Sequence, residues 1–79
     1  MDAVEFLKFI ITSLVKNPQD VEVELKEDEM GTLLLLKINK TDMWTVIGKG
    51  GKTIDAIRTV LRVFGSKTHA RVNLKVVEE

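Results

Sequence analysis

Near the start of the chain Val4, Leu7, Ile11 and Leu14 recur at helical spacing, so a first helix presents one apolar stripe. Asp2 stands where it caps that helix, with Glu5 three residues on in a capping-box position. Asn17-Pro18 ends the helix, because proline brings no amide and crowds the turn before it. The period then changes to two: Val21, Val23 and Leu25 alternate with Glu22, Glu24 and Lys26, a half-buried strand. Residues 27–31 read as a polar turn. Residues 33–38 form a second strand, apolar on both faces for most of its length, which predicts a central position or a covered surface. Thr41 or Asp42 is placed to cap a short helix through Ile47, and Gly48 stops it. Helical spacing returns at Ile54, Ile57, Leu61 and Phe64, and Gly65 closes this third helix. After a loop over 66–70, Val72, Leu74 and Val76 alternate with Asn73 and Lys75 as a last strand. The order is helix, strand, strand, helix, helix, strand: an α+β chain of one small domain over residues 1–79, with no repeat or linker inside it.

Composition narrows the chemistry. Among 79 residues there is no cysteine, so disulfides and thiolate metal sites are excluded and an intracellular, cytoplasmic setting is the natural reading. The single His69 cannot hold a metal alone, and no cofactor is implied. The apolar stretch over 6–15 is interrupted by Lys8 and preceded by Asp2 and Glu5, which fits neither a signal peptide nor a membrane span. Net charge is zero, yet it is unevenly spread. Up to Asp42 there are nine acids against five bases; from Met43 to Lys75 there are seven bases against one acid. Such a basic half suits a polyanion, since phosphate recognition begins with electrostatic attraction.

The basic half contains the run Val46-Ile47-Gly48-Lys49-Gly50-Gly51-Lys52-Thr53-Ile54. Gly48 and Gly51 frame a turn in which no Cβ keeps another backbone at a distance. The turn opens a helix whose first amides lack intrahelical partners and carry the positive end of its dipole. Lys49 and Lys52 add full charges there. Gly51-Lys52-Thr53 also reproduces the end of the phosphate loop of nucleotide hydrolases. That loop needs a glycine five residues before Gly51, where this chain has Val46, and the chain is too short for the several βαβ units of such enzymes.

The aliphatic-Ile-Gly-x-x-Gly-x-x-Ile pattern resembles the signature of KH domains, modules for RNA and single-stranded DNA whose Gly-x-x-Gly loop clamps about four nucleotides of backbone. The element order and the stretch Asp42-Met43-x-x-Val46-Ile47-Gly48-Lys49-x-Gly51 are similar to the small bacterial single-KH proteins of the KhpA family. That resemblance implies a type II KH fold, with helices on one face of a three-stranded mixed sheet. It implies a non-catalytic RNA adaptor or chaperone, in which Gly48, Lys49, Gly50, Gly51 and Lys52 hold the phosphates of a single strand. Ile47 and Ile54 would floor the cleft for bases, or else pack in the core as apolar helical positions usually do. Arg71 and Lys67, flanking the loop before the last strand, would touch phosphates or base edges. It further implies self-association or pairing with a larger KH-containing RNA-binding protein, in a pathway touching cell shape and cell-wall synthesis.

Other residues sharpen the expectation. Arg58 and Arg62, four apart on one helix, serve either the polyanion or a solvated face matched in part by Asp55. The aromatics are Phe6, Phe9, Trp44 and Phe64, and most read as packing positions. Few stacking platforms at about 1–3 kcal/mol each imply weak, micromolar binding with little sequence preference. Trp44 departs from the KH pattern, which has a small or polar residue there. It admits three readings: a base-stacking platform, an anchor on another chain, or partial burial on its helix. A sheet covered on one side would leave Leu33, Leu35 and Val77 on its open face, and Phe9 and Val63 fall off their helices' core stripes, which favours pairing with another chain. A rival reading is therefore a protein-interaction module whose glycine turn is purely structural. Glu27, Asp28 and Glu29 lack calcium-loop spacing, and no acid–base constellation can be assembled for catalysis.

Overall fold

A computed structural model describes residues 2–29, 31–67 and 71–77. Helix α1 (Ala3–Leu14) begins as expected: the Asp2 carboxylate accepts from the Glu5 amide at 2.8 Å. It stops at Leu14, three residues earlier than Asn17, with Val15 already extended. Pro18 accounts for this, since its ring would meet the carbonyl four residues back, on Leu14. Pro18 instead opens a short 3₁₀ turn, Pro18–Asp20. Leu14, at the frayed end of the stripe, is exposed.

Strands β1 (Glu22–Asp28) and β2 (Gly31–Lys37) pair antiparallel from Glu22 opposite Lys37 to Asp28 opposite Gly31, so the connection is tighter than the turn expected over 27–31. β3 (Val72–Val77) lies parallel to β2, from Thr32 beside Val72 to Lys37 beside Val77. The sheet order β1-β2-β3 puts the most apolar strand in the middle, as its two apolar faces require. In register, Leu34 and Leu36 lie with Val23, Leu25, Leu74 and Val76, whereas Leu33 and Leu35 share the opposite face with Glu24, Lys26, Asn73 and Lys75. Leu25 is exposed although it alternates correctly, because it sits on an edge strand.

Two further helices complete the chain, the short α2 (Met43–Ile47) and the long α3 (Lys52–Lys67). One core joins Leu7 and Ile11 of α1, Leu34 and Leu36 of β2, Val46 of α2, Ile54, Ile57 and Leu61 of α3, and Val72 and Leu74 of β3. Truncating any of the fully buried leucines to alanine costs about 2–5 kcal/mol on general grounds. Phe6 and Phe64 stack at the edge of this core, ring centroids 5.1 Å apart, and join α1 to α3. Gly65 does not close α3: it is buried, lacks the positive φ of a helix-ending glycine, and the helix runs on to Lys67. Of the loop expected over 66–70, residues 68–70 with His69, and the side chain of Lys67, lie outside the described residues.

Asp42 does a different job from the cap expected of it. Its carboxylate makes no bond to α2; it is buried and accepts from the Lys16 amide at 3.1 Å, the Asn17 amide at 3.0 Å and the Asn17 side-chain amide at 3.0 Å. The amides freed where α1 ends are thereby satisfied by a residue 25 or 26 positions away. Burial by itself would raise the Asp42 pKa, but these bonds and the nearby Lys16 charge outweigh it and hold the carboxyl below its usual value of 3.8. Capping before α2 falls to Asn39, whose side-chain oxygen accepts from the Thr41 amide at 2.9 Å and hydroxyl at 2.7 Å. The start of α2, and with it the glycine turn, is thus fixed to the end of α1.

Candidate nucleic-acid interface

α2 ends where Gly48 takes φ 77° and ψ 172°, a conformation essentially confined to glycine. A Cβ there would collide with the Thr53 hydroxyl, and would lie 2.7 Å from the Thr53 Cβ and 2.9 Å from its amide nitrogen. The first glycine is therefore required by the packing of α2 on α3. Lys49–Gly51 then form one turn of 3₁₀ helix, with Gly50 at φ 64° and ψ 20°. Around Gly50 and Gly51 the situation is reversed, because no atom lies within 4 Å of where their Cβ would be. That vacant space faces outward.

The amides divide in the same way. The Gly48 amide donates to the Trp44 carbonyl at 2.9 Å and the Gly51 amide to the Gly48 carbonyl at 3.1 Å, so the expectation that amides throughout 48–51 are available is narrowed. The amides of Lys49 and Gly50 have no acceptor among the described residues. Both residues are exposed, as is Lys52 at the first position of α3. Two uncommitted amides, two exposed lysines and the positive end of a 16-residue helix belong to this one turn, a combination that suits an oxyanion.

The remaining candidate residues separate. Ile47 is half-buried beside the core at the turn, whereas Ile54 belongs to the core and shows 5% of its surface. Arg71 is exposed, but it precedes β3 at the sheet end where its carbonyl accepts from the Thr32 amide at 2.7 Å. That end adjoins the C-terminus of α3, about 24 Å along the helix from the glycine turn. Arg71 is thus not brought to the loop. Arg58 is better placed: half-buried, it pairs with Asp55 at 3.1 Å and donates through Nε to the Leu74 carbonyl at 3.4 Å. With Arg62, Leu61, Val72, Asn73 and Leu74 it lines a cleft of about 220 Å³ between α3 and the edge strand β3. Arg58 lies six residues after Lys52, about 9 Å along α3 from the turn. The sequence left Arg58 and Arg62 undecided between a polyanion and a solvated face; Asn73 contributes only backbone to this cleft, since its side chain alternates to the open face of the sheet with Leu33 and Lys75. Trp44 is 73% exposed, which removes the reading of partial burial.

No described helix is long and apolar enough to cross a membrane. Among the described residues no three His, Asp or Glu side chains gather as metal ligands.

Residues 4–76 match the model of the KhpA/KhpB KH domain. The chain is 39% identical over 75 residues to the RNA-binding protein KhpA of Chlamydia pneumoniae, covering 95% of this chain and 96% of that one. It is 35% identical over 75 residues to the RNA-binding protein KhpA of Borreliella burgdorferi, covering 95% and 92%. Among solved structures, a point variant of Aquifex aeolicus Era bound to GDP.AlF4- superposes with a TM-score of 0.63 at 19% identity, over 94% of this chain and 29% of the Era chain. That likeness concerns the fold alone, and it is the type II KH arrangement of three helices on one mixed sheet. With its glycine turn, its element order and a family match over nearly its whole length, the chain belongs to the KhpA/KhpB family of KH-domain proteins, a non-catalytic family.

Proposed function

We propose that this protein is an RNA-binding adaptor or chaperone that grips single-stranded RNA, and less selectively single-stranded DNA, through Gly48, Lys49, Gly50, Gly51 and Lys52. The observation that carries this reading is the pair of uncommitted amides at Lys49 and Gly50, beside a Gly50 whose Cβ space is empty. A side chain at Gly50 would occupy the place from which a phosphate reaches those amides. Past the turn, the strand runs along α3, with Ile47 beneath it, toward the cleft of Arg58 and Arg62, where their side-chain donors and the edge of β3 meet base edges. Arg71 lies too far along α3 to share the turn's phosphates and would touch only a longer strand. Affinity for short strands is micromolar or weaker, since the cleft itself offers no aromatic platform. The setting is the cytoplasm, supported by the absence of cysteine. Links to cell shape and cell-wall synthesis rest on the family resemblance.

Titration of a fluorescent 12-nucleotide single strand at several salt concentrations tests the reading. About three phosphate contacts give a slope of log affinity against log salt near −2. The double variant Lys49→Asp with Gly50→Asp should lose binding while keeping its melting temperature. Unaltered affinity would remove the turn from the mechanism.

A second reading has its own observation. Val60 and Val63, 44% and 61% exposed, share the outer side of α3 with exposed Ala56, an apolar stripe at helical spacing. It supports a homodimer, or a heterodimer with a larger KH-containing protein, compatible with RNA binding. Size-exclusion with and without the 12-mer separates a dimer that binds RNA from a pure protein-interaction module.

A further inference from the structure

Trp44 is the largest side chain left in water, and nothing in the fold accounts for it. Its neighbour Val46 is fully buried, and on a helix the two positions lie nearly opposite, so Trp44 points directly away from the core. Gly48 follows four residues later and falls on the same side of α2 as Trp44, joined to it by the 2.9 Å bond from the Gly48 amide to the Trp44 carbonyl. The indole therefore stands in water near the start of α2, about one helical turn before the glycine turn. Lys40 and Lys49, both exposed, lie on either side in the chain. Asp42, two residues before it, is buried and its carboxylate is taken up by three N–H donors, whereas the Asp20 carboxylate accepts from the Asn39 side chain at 2.9 Å, beside Lys40. An exposed indole one helical turn before a backbone cradle for phosphates has the chemistry of a stacking platform.

From this juxtaposition we propose that Trp44 stacks on a base of the bound single strand, just outside the nucleotides held at Gly48–Gly51, and so extends the site on the side away from the Arg58 cleft. This rests on the RNA-binding reading above and adds to it a base contact made by the protein's single tryptophan. The phosphates fix the backbone; the indole takes the face of any base, so it adds affinity and strand length without adding sequence preference. It also rewards unpaired strands, because a base in a duplex has no free face.

The single tryptophan makes the test direct, as all indole emission comes from Trp44. The probes are a 12-nucleotide oligouridylate and an abasic ribose-phosphate strand of equal length. Oligouridylate should quench the emission and the abasic strand should not. Trp44→Ala should weaken oligouridylate binding about 5- to 150-fold, the equivalent of about 1–3 kcal/mol per stacked base, with the salt slope unchanged. Trp44→Phe should recover most of the loss. If Trp44→Ala binds within twofold of the parent while Gly50→Asp abolishes binding, the platform is refuted and the turn stands. If Trp44→Ala changes the oligomeric state but not the RNA affinity, Trp44 is a protein contact and the proposal is likewise overturned. If the parent binds neither strand, the RNA-binding reading itself falls and takes the platform with it.

Discussion

Gly48 and Gly50 stand two residues apart in one turn, both with positive φ, and they are glycines for opposite reasons. At Gly48 the missing side chain is filled from within, by Thr53 at the start of α3. At Gly50 the space is filled by nothing in the molecule. The amides follow suit: that of Gly48 closes α2, whereas that of Gly50 is uncommitted among the described residues. A glycine whose vacancy is occupied internally holds the fold together, and one whose vacancy opens outward lets something else come close. The comparison teaches that this turn is not one device but two, a hinge of packing at the first signature glycine and a landing place at Gly50, which fills an x position of Gly-x-x-Gly.

The comparison can be broken first at Gly48. Gly48→Ala should cost about 1–3 kcal/mol from the backbone conformation alone, and more from the collision with Thr53. For a domain of this size each kcal/mol lowers Tm by about 4–8 °C, so a thermal melt reads the effect easily, and an unchanged Tm would contradict the packing role. Asp42 secures the other end of α2 and comes next. Its carboxyl is depressed in the folded state, so its stabilisation is fully present above the ordinary value of 3.8 and is lost as pH falls through the still lower folded value. Asp42→Asn should lower Tm at neutral pH and flatten the acid limb of a Tm-against-pH curve below that point. Gly51→Ala is milder: with φ 77° but open surroundings it should cost about 1–2 kcal/mol, measured by urea denaturation. Smallest for stability is Lys49→Ala with Lys52→Ala. Both side chains are exposed and neither makes an ion pair among the described residues, so Tm should hold while the salt slope of RNA binding falls in magnitude by about 1.4.

Local signals were legible in the sequence, and contacts between distant segments were not. The Asp2 cap, the stripes of α1 and α3, the alternation of β3 and the glycine turn all depend on residues within a few positions of one another. The central place of β2 was one of two readings of the run Leu33-Leu34-Leu35-Leu36, the other being a covered surface; Leu33 and Leu35 lie on the face the helices leave open. Asp42 was misread as a cap since its partners, Lys16 and Asn17, are supplied by the far side of the fold. Gly65 looked like a helix stop because glycine usually is one, yet here it is buried within the helix. Leu25 alternates as a core residue should, and only its edge position exposes it. At the site, the lysines and glycines were found from the motif. The Arg58 contact to Leu74, and the cleft it makes with the edge of β3, needed the parallel pairing of β3 with β2. Arg71 was expected beside the loop before β3, and the length of α3 separates that place from the glycine turn.

Gly50→Asp, followed in parallel by RNA titration and thermal melting, tests the central claim most directly. Aspartate tolerates the left-handed backbone of Gly50 and meets no atom there, and its charge beside the N-terminus of α3 offsets part of the remaining strain. The variant should melt within a few degrees of the parent and bind the 12-nucleotide strand at least tenfold more weakly. Binding equal to the parent's by a correctly folded Gly50→Asp protein would contradict the account.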